Sequence, residues 1–258
     1  MLLQEIINII ESAAPLPLQE SWDNSGLQIG HTDADVTTVL LCTDVIECVI
    51  EEAQHCKAQL VISHHPLLFH GLKTISGMTP QQRIAEQAIR HGIAIYSSHT
   101  AMDVQPDGVS GEMAKRLGIE HYSILSPAGA ATGLGVIGDL PQAMTLQGLL
   151  QLLSTTFRQE CIRYSNPTDR LLRRIALVGG SGAEFVSDAI EQHADAFVSA
   201  DIRHHDFVDT LGTIPLFDIG HFESEQFTKD VFRRLLSHTP LNIIDAKSDL
   251  SPTLWYKG

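Results

Sequence analysis

The stretch "LVISHHPLLFHG", residues 60–71, decides how this chain is read. Its first residues form an apolar, β-branched run of the kind that fills a buried strand. The run then meets two adjacent histidines. Successive side chains of a strand point to opposite faces, so His64 and His65 cannot both enter one core. One reading makes one a core residue and the other a surface residue. The other places both at the strand's end, with Pro66 stiffening the exit and the two imidazoles facing neighbouring metal ions.

Outward from that point the chain alternates strands and helices. "MLLQEIINII" spaces Leu3, Ile6, Ile7 and Ile10 helically and lacks a basic leader region, so it predicts an amphipathic helix and not a signal peptide. A cytoplasmic protein is the expectation. "SWDNSGLQIG" (21–30) is dense in turn formers and predicts a loop. "VTTVLLCTD" (36–44) predicts a buried strand, and "VIECVIEEAQHCKA" (45–58) a helix with an acidic face. After the histidine pair come a loop with Gly71, Gly77 and Pro80, a helix stopping at Gly92, and a strand, "IAIYSSHTAMD", that runs out into His99 and Asp103.

The last third repeats the order. "RRIALVGGSG" predicts a strand, "AEFVSDAIEQHA" a helix, and "DAFVSADIRHHD" a strand ending in Asp201, His204, His205 and Asp206. "DFVDTLG" is a short helical piece. "IPLFDIGHFESE" predicts a strand running into His221, Glu223 and Glu225, where a final amphipathic helix, "SEQFTKDVFRRLLSH", begins. The shared order suggests an internal pseudo-repeat. Alternating strands and helices imply parallel βαβ units, whose ligands collect beyond the carboxyl ends of the strands. The expected fold is therefore α/β: two pseudo-repeated three-layer α/β lobes, 1–118 and 174–258, facing each other across a metal-binding cleft. The middle, 119–173, predicts a strand or hairpin arm, a helix and a short strand, read as a short α+β insert.

The chemistry-bearing residues fall at predicted strand ends. His64 and His65 form the first cluster, His99 and Asp103 the second. In the third, His221 and Glu225 are four apart, which puts them on one helix face if the helix has begun, with Glu223 pointing elsewhere. Histidines and carboxylates without a thiolate suit zinc, manganese, iron or cobalt better than copper(I). A set of His, His, Asp, His and Glu, five or more ligands, exceeds one tetrahedral zinc site; a pair of divalent ions about 3.5–4 Å apart fits better and activates water for hydrolysis. His204 and His205 could be ligands or handle substrate, and His205 is favoured as a substrate or proton-transfer residue. "LVGGSGAEF" is read as a tight turn, with a phosphate cradle as the alternative; it lacks the lysine of a P-loop and is no nucleophile elbow.

Composition narrows the classes. With 31 acidic and 17 basic residues the formal net charge is −14, which disfavours nucleic acid as a partner. The densest basic spots, "RLLRR" and "FRRLL", read as solvated faces. No run approaches the roughly 20 apolar residues of a membrane span. The four cysteines show no metal or redox spacing and are expected to be reduced and mostly buried.

Taken together, "WDNSGLQIG", "ISHHPLLF", "SHTAMD", "SADIRHHD" and "DIGHFESE" resemble the dinuclear-metal hexameric proteins named for an NGG-interacting factor, whose members often carry the label GTP cyclohydrolase I type 2 homologue. The resemblance spans essentially the whole chain. It implies two related α/β lobes, a homohexamer, and two divalent metal ions per subunit (zinc, iron or manganese) on His64, His65, Asp103, His221 and Glu225. It implies a metal-dependent hydrolase of a small-molecule or nucleotide substrate, and His99 is placed like a nearby histidine of the family, behind the ligands. The catalytic residues stay open, with His99, His205 and Glu223 as the candidates. A non-catalytic metal-binding or regulatory scaffold is the alternative.

Overall fold

The computed structural model describes residues 1–256. The chain divides into two compact units, the first made of Met1–Met102 and Thr228–Leu250, the second of Asp103–Phe227 and the tail from Ser251. In chain order the first unit supplies α1 (Leu3–Ala13), β1 (Gly26–Ile29), β2 (Thr38–Cys42), α2 (Glu47–His55), β3 (Leu60–Ser63), α3 (Pro80–His91) and β4 (Ala94–Ser97). The short α4 (Thr100–Asp103) leads into the second unit, with α5 (Val109–Arg116), β5 (Tyr122–Pro127), β6 (Gly133–Met144), α6 (Leu146–Phe157), β7 (Arg163–Tyr164), β8 (Leu172–Ser181), α7 (Val186–Glu191), β9 (Ala196–Ala200), α8 (His204–Asp209), β10 (Leu216–Asp218) and α9 (His221–Glu225). The chain then returns to the first unit through α10 (Thr228–Leu235) and β11 (Asn242–Asp245).

The first unit is a five-stranded sheet in the order β1-β4-β3-β2-β11. Strands β4, β3, β2 and β11 are parallel, and β1 runs antiparallel at the edge. Every residue of β3 and β4 is buried, which is what a parallel sheet covered on both faces requires. Leu40, Val61 and Ile95 pack with Val49, Ile50 and Ala53 of α2 and Ile84 and Ala88 of α3. On α1, Leu3, Ile6, Ile7 and Ile10 are all buried, and α10 packs against both α1 and β2. Helix α3 shows how local signals set its limits. The Thr79 hydroxyl accepts from the Gln82 N–H, Pro80 opens the first turn, and Gly92 ends the helix at φ +63°.

The second unit is a six-stranded mixed sheet in the order β5-β6-β8-β9-β10-β7. Here β8, β9 and β10 are parallel neighbours in sequence order, as β2, β3 and β4 are in the first unit. Met113, Leu149, Leu153 and Phe157 of α5 and α6 cover one face over Val136, Leu177, Val198 and Phe217, while Val186 and Ala189 of α7 cover the other over Ile137, Ala176 and Phe197.

The expected boundaries after 118 and 173 both fall inside the second unit. Strands β5 and β6 pair antiparallel onto β8, so the stretch read as an insert is continuous with the sheet of the last third. Four local readings are corrected. The turn-rich "SWDNSGLQIG" contains β1, because an edge strand needs only one ladder partner to form. The predicted final helix is broken into α9 and α10. His204, His205 and Asp206 lie in α8 rather than at a strand end. Among the cysteines only Cys42 is buried; Cys56 is half-buried and Cys48 and Cys161 are exposed, all as free thiols. Among the described residues no helix is long and apolar enough to cross a membrane.

Candidate metal centre

Each unit builds a cluster of donors past the carboxyl ends of its parallel strands. In the first unit β3 ends at Ser63 and delivers His64 and His65, while β4 ends at Ser97 and delivers His99. The His64 and His65 rings are tilted 50° to each other with centroids 4.8 Å apart, and His99 meets both edge to face at 5.2 Å. One nitrogen from each lies within 4.8 Å of the others. A serine network underlies the group: Ser63 Oγ and Ser97 Oγ lie 2.7 Å apart and stand 2.7 and 3.2 Å from the His65 carbonyl oxygen.

All three rings are held from behind. His64 Nδ1 lies 3.2 Å from the carbonyl oxygen of Ser98. A carbonyl only accepts, so Nδ1 carries the proton. His65 Nδ1 lies 2.9 Å from Asp44 Oδ1, and His99 Nδ1 lies 2.9 Å from Asp23 Oδ1. An acceptor behind Nδ1 sets the tautomer and turns Nε2, with its lone pair, to the front; this is how metal-ligating histidines are oriented.

The carboxylates behind the rings are themselves anchored. Asp249 accepts from the Thr43 and Asp44 backbone N–H groups at 2.8 and 3.3 Å and from Lys229 Nζ at 2.6 Å, fixing the loop from which Asp44 reaches His65. Asp23 accepts from His99, from the backbone and hydroxyl of Thr100, from Ser25 Oγ and from the Asn24 N–H. Burial by itself would push the Asp23 carboxyl up. The bonds from His99, Thr100 and Ser25 outweigh burial and hold it far below the usual carboxylate range. A depressed value means that its contribution to stability is complete above the unfolded value of about 3.9 and is lost as pH falls below that. In metal-free protein, the thermal midpoint of Asp23→Asn should therefore start lower than wild type at pH 6 and fall less steeply between pH 5 and pH 2. Parallel curves would show that this carboxylate contributes nothing through its charge.

In the second unit β9 delivers Asp201 and β10 delivers His221 and Glu225 on α9. His221 Nδ1 lies 2.7 Å from Asp201 Oδ2, the same arrangement again. Its Nε2 lies 3.0 Å from Glu225 Oε2, the i,i+4 contact expected of one helix face. Two ligands at the usual 2.0–2.1 Å from one ion, set at a right angle, stand about 3 Å apart. The donor set and this spacing fit a divalent cation.

Gly179 and Gly180 correct the sequence reading. They are neither a turn nor a phosphate cradle: β8 runs through them to Ser181. Gly180, at φ +64°, donates its N–H to Ser224 Oγ, and a Cβ there would stand 2.3 Å from Glu225 Oε1. A carboxylate occupies the side where a bound anion was the alternative reading.

The remaining candidates are placed as follows. Asp103 closes α4 and is half-buried, outside the His64–His65–His99 group. His205 is exposed on α8 with its ring 5.3 Å from that of His204. Glu223 is nearly buried, with its Oε2 beside Gly220. Of the three orienting carboxylates, sequence reasoning left out Asp23 and Asp44 and placed Asp201 at a strand end without giving it a role. Asp44 and Asp201 carried a usable signal, since each follows an apolar strand within two residues; Asp23 reaches His99 from 76 residues away and carried none.

Known proteins match this chain over most of its length. The family model described as Duf34/NIF3 (NGG1p interacting factor 3) matches residues 1–250. A Clostridium perfringens protein named GTP cyclohydrolase 1 type 2 homolog is 36% identical over 229 residues, 87% of either chain. A Campylobacter jejuni protein of the same name is 30% identical over 247 residues, 95% of either chain. The crystal structure of the Staphylococcus aureus hypothetical protein SA1388 superposes with a TM-score of 0.92 at 26% identity, covering 99% of both chains. Reduced HcgD from Methanocaldococcus jannaschii superposes with a TM-score of 0.80 at 25% identity, covering 96% of this chain and 98% of that one.

Proposed function

The chain belongs to the Duf34/NIF3 (NGG1p interacting factor 3) family, and from that premise we propose that it binds two divalent metal ions per subunit and hydrolyses a small polar substrate, with a nucleotide as the first class to test. His64, His65, Asp103, His221 and Glu225 are the proposed ligands. The observation that carries the reading is the repeated arrangement behind the rings: four histidines from two sheets each set Nδ1 against an oxygen, which turns Nε2 to the front. Zinc, iron and manganese all suit such nitrogen and carboxylate donors. When bound, a metal pair supplies Lewis acidity and activates water.

The chain's own residues do the rest. Asp44, Asp23, Asp201 and the Ser98 carbonyl hold the rings against rotation. Among the three candidate catalytic residues, His99 is favoured over His205 and Glu223, because its Nδ1 is committed to Asp23 and its ring borders both His64 and His65. There Nε2 can hold a proton beside the proposed ligands. A homohexamer acting in the cytoplasm belongs to the same proposal.

Metal content by mass spectrometry, with GTP turnover followed in the same preparation, tests it. About two ions per chain, with turnover lost on chelation and regained on reloading, is the expected result. No retained metal after reloading would overturn the site. Two ions with no turnover on GTP or other nucleotides would keep the site and replace the hydrolase with a metal-binding scaffold.

A further inference from the structure

Beside the three histidines of the first unit stand two large aromatic rings that are not buried. Trp22 is 56% exposed and Phe69 40%. Their centroids are 5.8 Å apart and their planes tilt by 45°. Both meet His99 edge-on, Trp22 at 5.9 Å and 71°, Phe69 at 6.2 Å and 68°. Both rings keep a large share of their surface open to solvent beside His99.

The loops that carry these rings are held by polar bonds. Asn24 Nδ2 donates to the Leu68 carbonyl at 2.7 Å, and the Leu68 N–H donates to Gln28 Oε1 at 3.2 Å. Gln28 Nε2 donates back to the Asn24 carbonyl at 2.7 Å. Asp23, between Trp22 and Asn24, is pinned by the five bonds already described. Two loops distant in sequence are thus tied together next to the residues that carry the rings. The rings are held in place although burial does not hold them, and preorganised aromatic surface of that kind is suited to binding.

We propose that Trp22 and Phe69 form a stacking platform for the planar heteroaromatic ring of a ligand whose polar end reaches His64, His65 and His99; as a substrate subsite this rests on the hydrolase reading above. Ring size selects the occupant. Two exposed side chains fall far short of the roughly 800 Å² that each partner contributes to a stable protein interface. One heterocycle is the occupant of their scale, lying offset on the indole face. Stacking of this kind accepts any flat base, so the platform sets ring class, and the polar end sets reactivity.

The chain has two tryptophans, so Trp255→Phe leaves Trp22 as the sole indole reporter. In that background, metal-loaded protein is titrated with guanosine monophosphate, adenosine monophosphate and ribose 5-phosphate. Both purine nucleotides should quench Trp22 saturably and ribose 5-phosphate should not. By equilibrium dialysis, Trp22→Ala should weaken guanosine monophosphate about tenfold, the effect of losing one stacking contact, and Trp22→Phe should restore most of it. Equal response to ribose 5-phosphate, or unchanged dialysis affinity in Trp22→Ala, would overturn the platform. A change in sedimentation of Trp22→Ala with unchanged nucleotide affinity would overturn it too, and would give the rings to a second copy. The two readings fail separately: ring-dependent binding without turnover sinks only the hydrolase, and turnover that ignores Trp22 sinks only the platform.

Discussion

Replacing His64 and His65 together with alanine is expected to leave the protein folded and unable to retain divalent metal. Loss of a residue that merely orients a ligand costs 10–100-fold in metal affinity, so removing two proposed ligands should cost on the order of a thousandfold or more. Metal content after dialysis should fall to background. Stability should fall less dramatically. His64 is fully buried, and its removal deletes ring packing and leaves the Ser98 carbonyl without its donor, a loss of about 1–3 kcal/mol. The check is mass spectrometry beside a denaturant melt read with and without added metal. Wild-type metal content in a folded variant would return both histidines to an ordinary structural role.

Gly180→Ala is the second large effect, and it reaches the other cluster without replacing a donor. Alanine must adopt φ near +64°, which costs about 1–2 kcal/mol for a residue with a Cβ. Its methyl would also stand 2.3 Å from Glu225 Oε1 and 3.3 Å from His221 Cε1. Glu225 is only 3% exposed, so its carboxylate has little room to move aside. Displacing it breaks the 3.0 Å contact with His221, and metal affinity should drop about 10–100-fold. Gly212→Ala is the control. It shares a positive φ, +76°, but a Cβ there meets nothing within 4 Å. It should cost about 1 kcal/mol and leave metal affinity unchanged. If both variants bind metal alike, Glu225 is not held where the site needs it.

Much of this molecule is legible in one dimension because its rules are local. Helix α1 follows from the spacing of Leu3, Ile6, Ile7 and Ile10, and α3 from Thr79, Pro80 and Gly92. Apolar runs mark β2, β3, β4, β8 and β9, since strands buried on both faces must be apolar throughout. Strands β1, β5 and β11 escaped notice for the opposite reason. They lie at sheet edges, where one ladder partner and a half-covered face leave a mixed, unpatterned sequence.

The sequence by itself determined the alternation of strands and helices and the presence of histidines and carboxylates at strand ends. Those depend on residue type and on neighbours a few positions away. Only the tertiary structure decided which ring nitrogen each histidine presents, because the acceptors come from elsewhere: Asp23 lies 76 residues from His99, Asp44 lies 21 from His65, and Asp201 lies 20 from His221. It also decided that the chain's end, as α10 and β11, completes the first sheet, with β11 pairing onto β2 across some 200 residues. Hydrogen bonds between segments that distant are set by how the sheets pack, and packing leaves no fixed spacing in the chain for a reader to find.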